Sequence, residues 1–294
     1  VVVGLRGKTY TEVALELQGF SSRYFEKKNF KLKFEDKVDL GLTDTPLKAK
    51  KLILKGNWKD HTLIRESLSW RALAQLGHPV PATGWVHLVI NGKDYGLYVA
   101  VEAIDDKYFD RRDYEDGGNL YKGVNQKASF APQYTLEQGF EKKEGDDLDD
   151  WSDLASFVDL VHSLPSPPSD AQVFDEVDPI FDVSWFLERI VWMAYTQNSD
   201  GVSQNFYLYN EPGHGHDHWV MVAWDGDIAF SAHWRIDRLA SDWWANPLLN
   251  GKSHLAKRLV ANAQVREELV QGLQLHLTTT FAPSIVRPWV EALE

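Results

Sequence analysis

The sequence predicts an α+β fold of two lobes, an antiparallel sheet lobe followed by a mostly helical lobe. Two observations carry this prediction. Apolar and polar residues alternate in residues 13–17 and 30–34, which is typical of half-buried strands. From Asp182 onward, apolar residues recur at the three- and four-residue spacing of a helix. We place the N-terminal lobe at residues 1–104 and the C-terminal lobe at residues 105–294.

The rest of the first lobe follows from turn and cap signals. Residues 52–54 form a short apolar run that predicts a third strand. Asp60 stands at the position of an N-cap before a helix that ends near Gly77. Two strands, 85–90 and 95–102, flank Asn91-Gly92, which is a strong hairpin signal. We expect Lys93 and Asp94 to lengthen that turn.

The second lobe contains more connecting sequence. Residues 141–153 are crowded with carboxylates, so they are predicted to form a solvated loop that leads into a helix. The proline-rich residues 163–169 are a connector. A helix is expected over residues 183–199. Strands are expected at 206–209 and 219–224, and the tail from Leu255 is helical again.

Composition excludes several classes of function. The chain has 294 residues, a net charge of −12 and no cysteine. An acidic chain is a poor general binder of nucleic acid, and without cysteine no thiolate metal site or cysteine nucleophile is available. No apolar run approaches the length of a membrane span. No signal peptide is visible, and because the chain opens on Val1 rather than Met, we expect a fragment whose natural N-terminus has been removed.

Three polar residues form the pattern that carries chemistry. Asp200 follows the predicted helix, Asn205 comes five positions later, and Asp225 ends an apolar strand twenty residues beyond Asn205. Phosphoryl transfer to a hydroxyl uses one carboxylate to orient the hydroxyl and an Asn and a second Asp to hold Mg²⁺. Protein kinases have the same five-residue spacing. Taken by spacing alone, the three residues are equally compatible with capping of helix ends and turns.

Motifs along nearly the whole chain give a more specific indication. The sequence resembles the CotH kinase family, a group of atypical protein kinases related to spore coat proteins. The resemblance rests on motifs that occur in the family's order: Gln18-Gly19-Phe20-Ser21-Ser22, the paired-lysine segment 27–34, the segment 52–66, residues 76–81, the hairpin 91–98 ending at Glu102, residues 119–122, and Asp200 with residues 204–209 and Trp224-Asp225.

The resemblance implies a divergent, two-lobed protein-kinase-like fold that binds ATP between the lobes. It implies that Asp200 is the catalytic acid and that Asn205 and Asp225 bind Mg²⁺, with Mn²⁺ as a substitute. Asp227 matches a position at which the family also has Asn. Gln18 is a departure, because the family usually has a basic residue before the glycine.

Three further residues are candidate nucleotide contacts, each with a structural alternative. Lys28 shares the even-numbered face of its strand with Phe30 and is expected to point inward, toward ATP phosphate or toward an acid such as Glu66. Glu102 is expected either to face the adenine or to cap the crossover between the lobes. Lys122 is expected to contact the nucleotide or to be a solvated loop lysine.

These features predict a Mg²⁺-dependent kinase that transfers the γ-phosphate of ATP to Ser or Thr of a protein, possibly of itself. Electrostatic steering by an acidic surface favours a basic substrate. The alternatives are a pseudokinase, a kinase-like enzyme that transfers AMP or another group, and a non-catalytic coat or surface scaffold. The resemblance favours a secreted, cell-surface or spore-coat location. The oligomeric state and the substrate are not readable from the sequence.

Overall fold

The computed structural model describes residues 1–5, 7–115, 117–198, 201–211, 218–230 and 253–293. The described strands are β1 (Val3–Leu5), β2 (Lys8–Tyr10), β3 (Ala14–Gln18), β4 (Asn29–Asp39), β5 (Lys48–Lys55), β6 (Thr83–Ile90), β7 (Lys93–Glu102), β8 (Asn119–Gly123), β9 (Phe140–Glu144), β10 (Phe206–Glu211) and β11 (His218–Ala223). The described helices are α1 (Arg65–Ala74), α2 (Asp106–Asp110), α3 (Leu136–Gly139), α4 (Ser152–Ser163), α5 (Val183–Thr196), α6 (His254–Ala261), α7 (Ala263–Thr278) and α8 (Pro283–Glu291). The predicted α+β class is confirmed.

The first sheet is antiparallel and has the strand order β3-β4-β5-β7-β6. Helix α1 connects its third strand to the pair β6 and β7. The sequence alternation places Phe30, Leu32 and Phe34 on one face, where they pack in a small core. Ile53, which lies opposite Lys31 on the neighbouring strand, is on the other face and belongs to a larger core. Both faces of this sheet are therefore covered, and in the described part of the chain it is the second face that packs with residues beyond 104.

The hairpin between β6 and β7 is tighter than predicted. Ile90 pairs with Lys93, so the turn consists of Asn91 and Gly92 alone, with φ values of 52° and 76°. Positive φ at both positions is the geometry of the two-residue turn that matches strand twist. Lys93 and Asp94 therefore belong to β7, and the expectation that they lengthen the turn was wrong.

Helix α1 begins at Arg65 with Ile64 as its N-cap residue, so the prediction that Asp60 is the N-cap was wrong; Asp60 instead holds the turn that precedes the helix. The Asp60 carboxylate accepts hydrogen bonds from the backbone N–H of Thr62 and of Arg65, each at 3.0 Å. The helix buries the predicted apolar face, including Leu68 and Ala72. The indole of Trp192 on α5 donates to the Ser69 carbonyl at 2.7 Å, which fixes α1 against α5.

A second antiparallel sheet, of order β11-β10-β8-β9, is formed by strands that follow residue 118. Its edge strand β9 corrects the sequence analysis, because residues 140–144 lie in a strand and the solvated loop predicted from residue 141 begins only after them. The strand forms because Phe140 is buried against Phe130 and Phe206, while charged side chains alternate with it toward solvent. Seven of the eight described α-helices follow residue 105.

Helix α5 passes through the larger core. The Asp182 carboxylate caps it by accepting from the N–H of Trp185 at 2.8 Å, and the helix ends at Gln197 with a φ of 55°. The larger core contains side chains from both sides of residue 104, such as Ile53 and Val191, so the boundary at 104 stays a prediction. Among the described helices, none has the length and apolar character needed to cross a membrane.

His78, four residues after the end of α1, is predicted to make the stability of the fold depend on pH. Its ring is buried and stacks on Trp185 with centroids 4.6 Å apart. Burial, together with the charge of Arg189, lowers the pKa of His78 to about 3. Between that value and the ordinary histidine pKa near 6.5, the unfolded chain binds more protons than the folded chain. The free energy of unfolding should therefore rise with pH across this window, by at most about 1.4 kcal/mol per pH unit from this residue.

We expect the His78→Phe variant to lose most of this slope between pH 5 and 7 in urea unfolding experiments. His61 is exposed, so His61→Phe should leave the slope of the unmodified protein in place. An equal pH dependence in the protein and in His78→Phe would contradict the prediction.

Candidate active site

A buried lysine forms the centre of the site. Lys55 is the last residue of β5, on the face of the sheet that belongs to the larger core, and it is 3% exposed. Its ammonium group contacts the Glu66 carboxylate and lies 2.5 Å from Oδ1 of Asp225. It also lies 5.1 Å from the ring of Trp224. Burying an ammonium group is costly unless it is paired, and here two carboxylates pair with it.

Glu66 connects the parts of the site. It lies in the first turn of α1 and is completely buried. Besides Lys55, its carboxylate accepts from the side-chain amide of Asn57 at 3.3 Å and from the backbone N–H of Gly226 at 3.2 Å. One side chain therefore joins strand β5, helix α1 and the segment that follows β11.

The backbone brings Asn205 next to Asp225. Asn205 precedes β10 and Asp225 comes two residues after β11, and these two strands pair along their length. Beyond the last pair, the Trp224 N–H donates to the Asn205 carbonyl at 3.0 Å, and the Asn205 N–H donates to the Gly123 carbonyl at 3.2 Å. Both Asn205 and Asp225 have left-handed backbones, with φ values of 57° and 61°. Asn and Asp tolerate this conformation better than most residues do.

Three carboxylates surround the one buried lysine. Burial alone would raise the pKa of Asp225, but the neighbouring Lys55 outweighs it and lowers that pKa. Burial and the negative charge of Asp225 raise the pKa of Asp227 well above its usual value. Burial likewise raises the pKa of Glu66. The carboxylates repel one another, so a cation bound beside them would favour their charged forms.

Asp225 and Asn205 are suitable residues to hold Mg²⁺. The cation takes carboxylate and amide oxygens, and it usually keeps several waters and binds through one or two protein carboxylates. The Asp225 side chain is 34% exposed, so a ligand from solvent can reach it. In the described part of the chain, no three His, Asp or Glu side chains are placed to hold a metal ion together. A cation here would therefore need further oxygens from water or phosphate.

Lys122 lies beside this group. It is on β8, opposite Tyr207 on β10, and its ammonium group is 5.8 Å from the Tyr207 ring. Burial lowers the pKa of Lys122, and the negative charge of Asp225 partly opposes this shift. Lys122 in turn helps to lower the pKa of Asp225. This half-buried lysine faces the site, and its contact with nucleotide stays a prediction.

Lys28 does not occupy the position that the sequence analysis expected. Its ammonium group donates to the backbone carbonyl of Arg23 at 2.8 Å, within the loop between β3 and β4. The even-numbered residues that follow it in β4, such as Phe30, point into the small core, away from the face that bears Lys55. The expected ion pair of Glu66 is formed by Lys55 instead. The inward orientation of Lys28 was wrong because Lys28 precedes β4, which begins at Asn29, so the alternation of the strand does not set its direction.

Glu102 adopts the structural alternative. Its side chain is fully buried at the end of β7, and both carboxylate oxygens are engaged. Arg111 donates to Oε1 at 2.7 Å, Arg112 to Oε2 at 2.6 Å, and the Ala82 N–H to Oε2 at 3.1 Å. The carboxylate caps the crossover after β7, so the expectation that it faces adenine is corrected.

The loop after Gln18, the residue that departs from the family pattern, is held by contacts with nearby residues. Gln18 ends β3, and its carbonyl accepts from the Ser22 hydroxyl at 3.0 Å. Gly19 has a φ of 92°, and a Cβ there would lie 2.1 Å from the Ser22 hydroxyl, so only glycine fits. Asn29 accepts from the N–H of Gly56 at 2.7 Å, which ties the end of this loop to the residue after Lys55. Asp200, the predicted catalytic acid, lies outside the described residues.

Lys55 is the functional residue that the sequence analysis missed. A usable signal was present: a lysine ends the apolar run Leu52-Ile53-Leu54, and a glutamate follows eleven residues later at the start of a helix. In protein kinases, a lysine on the third strand of the sheet pairs with a glutamate on the next helix. Here β5 is the third strand of the five-stranded sheet, and α1 is the next helix.

The Glu102 contacts predict a structural role. Removing one partner of a buried ion pair leaves uncompensated charge, so Glu102→Gln should lower the free energy of unfolding by about 3 kcal/mol. Urea unfolding measures this change, and Glu16→Gln is the control because Glu16 pairs with Lys33 at an exposed position. Folded Glu102→Gln should bind nucleotide as the unmodified protein does. A large loss of nucleotide affinity with unchanged stability would reverse the assignment.

The chain is similar in sequence to known proteins. The chain is 26% identical over 291 residues to inner spore coat protein H of Bacillus subtilis (strain 168), covering 96% of this chain and 75% of that protein. A solved complex of HipA, HipB and operator DNA, a toxin–antitoxin system of Shewanella oneidensis MR-1, contains a 12% identical chain that aligns with a TM-score of 0.39. That alignment covers 83% of this chain and about half, 52%, of the other. Residues 15–294 match the CotH kinase protein family, and the chain belongs to that family.

Proposed function

We propose that this protein is a Mg²⁺-dependent kinase that transfers the γ-phosphate of ATP to Ser or Thr hydroxyls of a protein, possibly of itself. The observation that carries the proposal is Lys55, held between Glu66 and Asp225. Family membership supports kinase-like chemistry in general. The nucleotide and the cation are inferred from the residues that surround Lys55, and the acceptor from the family resemblance.

Each residue has a role in this proposal. Lys55 binds the nucleotide phosphates, and Glu66 holds its ammonium group in place. Asp225 and Asn205 hold Mg²⁺, which neutralises charge on the phosphates. Lys122 adds a second positive charge near Asp225. Arriving phosphate competes with Asp225 for Lys55, so the ion pair keeps the lysine oriented before nucleotide binds.

Asp200 has the remaining role, assigned from the sequence alone. It accepts the proton of the acceptor hydroxyl while the hydroxyl oxygen bonds to the γ-phosphorus and the bond from that phosphorus to the β–γ bridging oxygen breaks. ADP is the leaving group. Catalysis in this class is mostly positioning and electrostatic stabilisation, so the rigid environment of Lys55 and Asp225 suits it.

The substrate and location are proposed from charge and family. A net charge of −12 favours a basic protein segment that presents Ser or Thr. The similarity to an inner spore coat protein supports a role at a spore coat or other cell surface. The same acidic charge makes nucleic acid an improbable partner.

Lys55→Met tests the central residue, and Lys28→Met is its matched control. We expect Lys55→Met to lose at least about 100-fold in phosphate transfer, as expected for a group that stabilises transition-state charge, and to bind ATP–Mg²⁺ more weakly. Lys28→Met should retain both properties, because Lys28 contacts its own loop. The measurements are calorimetric titration and transfer of label from γ-labelled ATP, with circular dichroism to confirm folding. Loss of transfer in Lys28→Met alone would contradict the assignment.

A second pair of variants distinguishes the role of Asp225 from the role of Asp200. Asp225→Asn should weaken Mg²⁺-dependent ATP binding and abolish transfer together, because it removes metal ligation. Asp200→Asn should spare ATP binding and reduce transfer by about 10²–10⁴-fold, the range for loss of a general base. Both are measured with a Ser-rich basic peptide as acceptor.

The same assay separates the alternatives. Transfer of label from α-labelled ATP would indicate AMP transfer. ATP binding without any transfer would indicate a pseudokinase, and absence of nucleotide binding would indicate a scaffold.

A further inference from the structure

A second buried cation lies behind the site. Arg189, on α5, is 2% exposed. Among the described residues it forms no ion pair with a carboxylate, and its Nη1 has no hydrogen-bond partner. Burial lowers the pKa of Arg189 to about 10. An unpaired buried charge destabilises a fold, so an apolar side chain would suit this position better if stability were the only constraint.

The contacts of Arg189 converge on one loop. Its Nη2 donates to the carbonyl of Gly201 at 2.8 Å. The guanidinium carbon lies 5.7 Å from the ring of Trp192 and 5.8 Å from the ring of Phe206. In the sequence, Gly201 follows Asp200 and Phe206 follows Asn205. One side chain thus contacts both ends of the segment 201–206.

The other anchors of this segment come from the opposite side. The Ala128 N–H donates to the Ser203 carbonyl at 2.9 Å, and the Gln126 N–H donates to the Gln204 side chain at 3.0 Å. The Asn205 N–H donates to Gly123. These contacts hold the end of the segment against β8 and the turn after it. Arg189 holds its beginning against α5.

We propose that Arg189 is a positioning residue, which fixes the Gly201 carbonyl and thereby the loop that carries Asp200 and Asn205. This inference rests on the proposed function. A charged donor forms a stronger hydrogen bond to a carbonyl than a neutral donor does, and the planar guanidinium packs against both rings while it donates. Misplacement of a catalytic group by about 1 Å can reduce the rate by about 100-fold.

Arg189→Met tests the proposal. We expect kcat for peptide phosphorylation to fall by about 10- to 100-fold, while KM for ATP and the calorimetric Kd of ATP–Mg²⁺ change by less than about twofold. The free energy of unfolding should not fall, because an unpaired charge is replaced by an apolar side chain of similar length. Amide hydrogen exchange of the peptide that spans residues 201–206 should become at least about tenfold faster.

Met193→Leu is the matched control. Met193 is one turn further along α5, and its methyl group packs near the same glycine, 3.7 Å from the position of a Cβ on Gly201. It donates no hydrogen bond, so kcat and exchange should stay within about twofold of the unmodified protein.

The outcomes distinguish this inference from the proposed function. Unchanged kcat and unchanged exchange in Arg189→Met would overturn the inference and leave the kinase proposal intact. An equal loss of kcat and ATP affinity, or unfolding at the assay temperature, would also overturn it, because both indicate a general structural role. Absence of transfer in the unmodified protein would refute the proposed function. In that case, amide hydrogen exchange of residues 201–206 would by itself show whether Arg189 anchors the loop.

Discussion

The ion pairs of Lys55 determine how the two halves of this protein meet. One ammonium group, almost completely buried, contacts a carboxylate from helix α1 and another from the end of strand β11. Within the described residues, Lys55 is the ion-pair partner of both carboxylates. Buried charges of this kind are stable only with good geometry and further hydrogen bonds. Asn57 and the N–H of Gly226 supply those bonds to Glu66, so the position of α1 and the position of residues 225–227 depend on each other.

The five-stranded sheet makes this arrangement possible because its two faces pack into different cores. One face closes a small core of its own, with Phe30, Leu32 and Leu54. The other face contributes Ile53, Val99 and Val101 to the large core and ends in Lys55. Helix α5 crosses that core and connects to the loop before β10. Apolar packing on both faces of the sheet thus positions the charged groups of the site.

Much of the fold was predictable from local pattern. Alternation in β4 and the Asn91-Gly92 turn were each confirmed in type, and Asp225 does follow an apolar strand. The choice between Lys28 and Lys55 was not predictable in this way. Periodicity shows which residues share a face, but it does not show which face meets the second half of the chain. Strand β9 was missed for a related reason, since its single buried aromatic, Phe140, stands among charges that dominate the local composition.

The backbone at Asn205 and Asp225 has a consequence for the evolution of the family. Both residues have a left-handed backbone conformation, with positive φ. The residue types that adopt this conformation readily are Gly, Asn and Asp. The types that the backbone tolerates therefore overlap with the types that supply oxygen ligands. Selection for the turn geometry alone would keep Asn or Asp at these positions after catalysis had been lost. Their presence in a relative is consequently weak proof of activity.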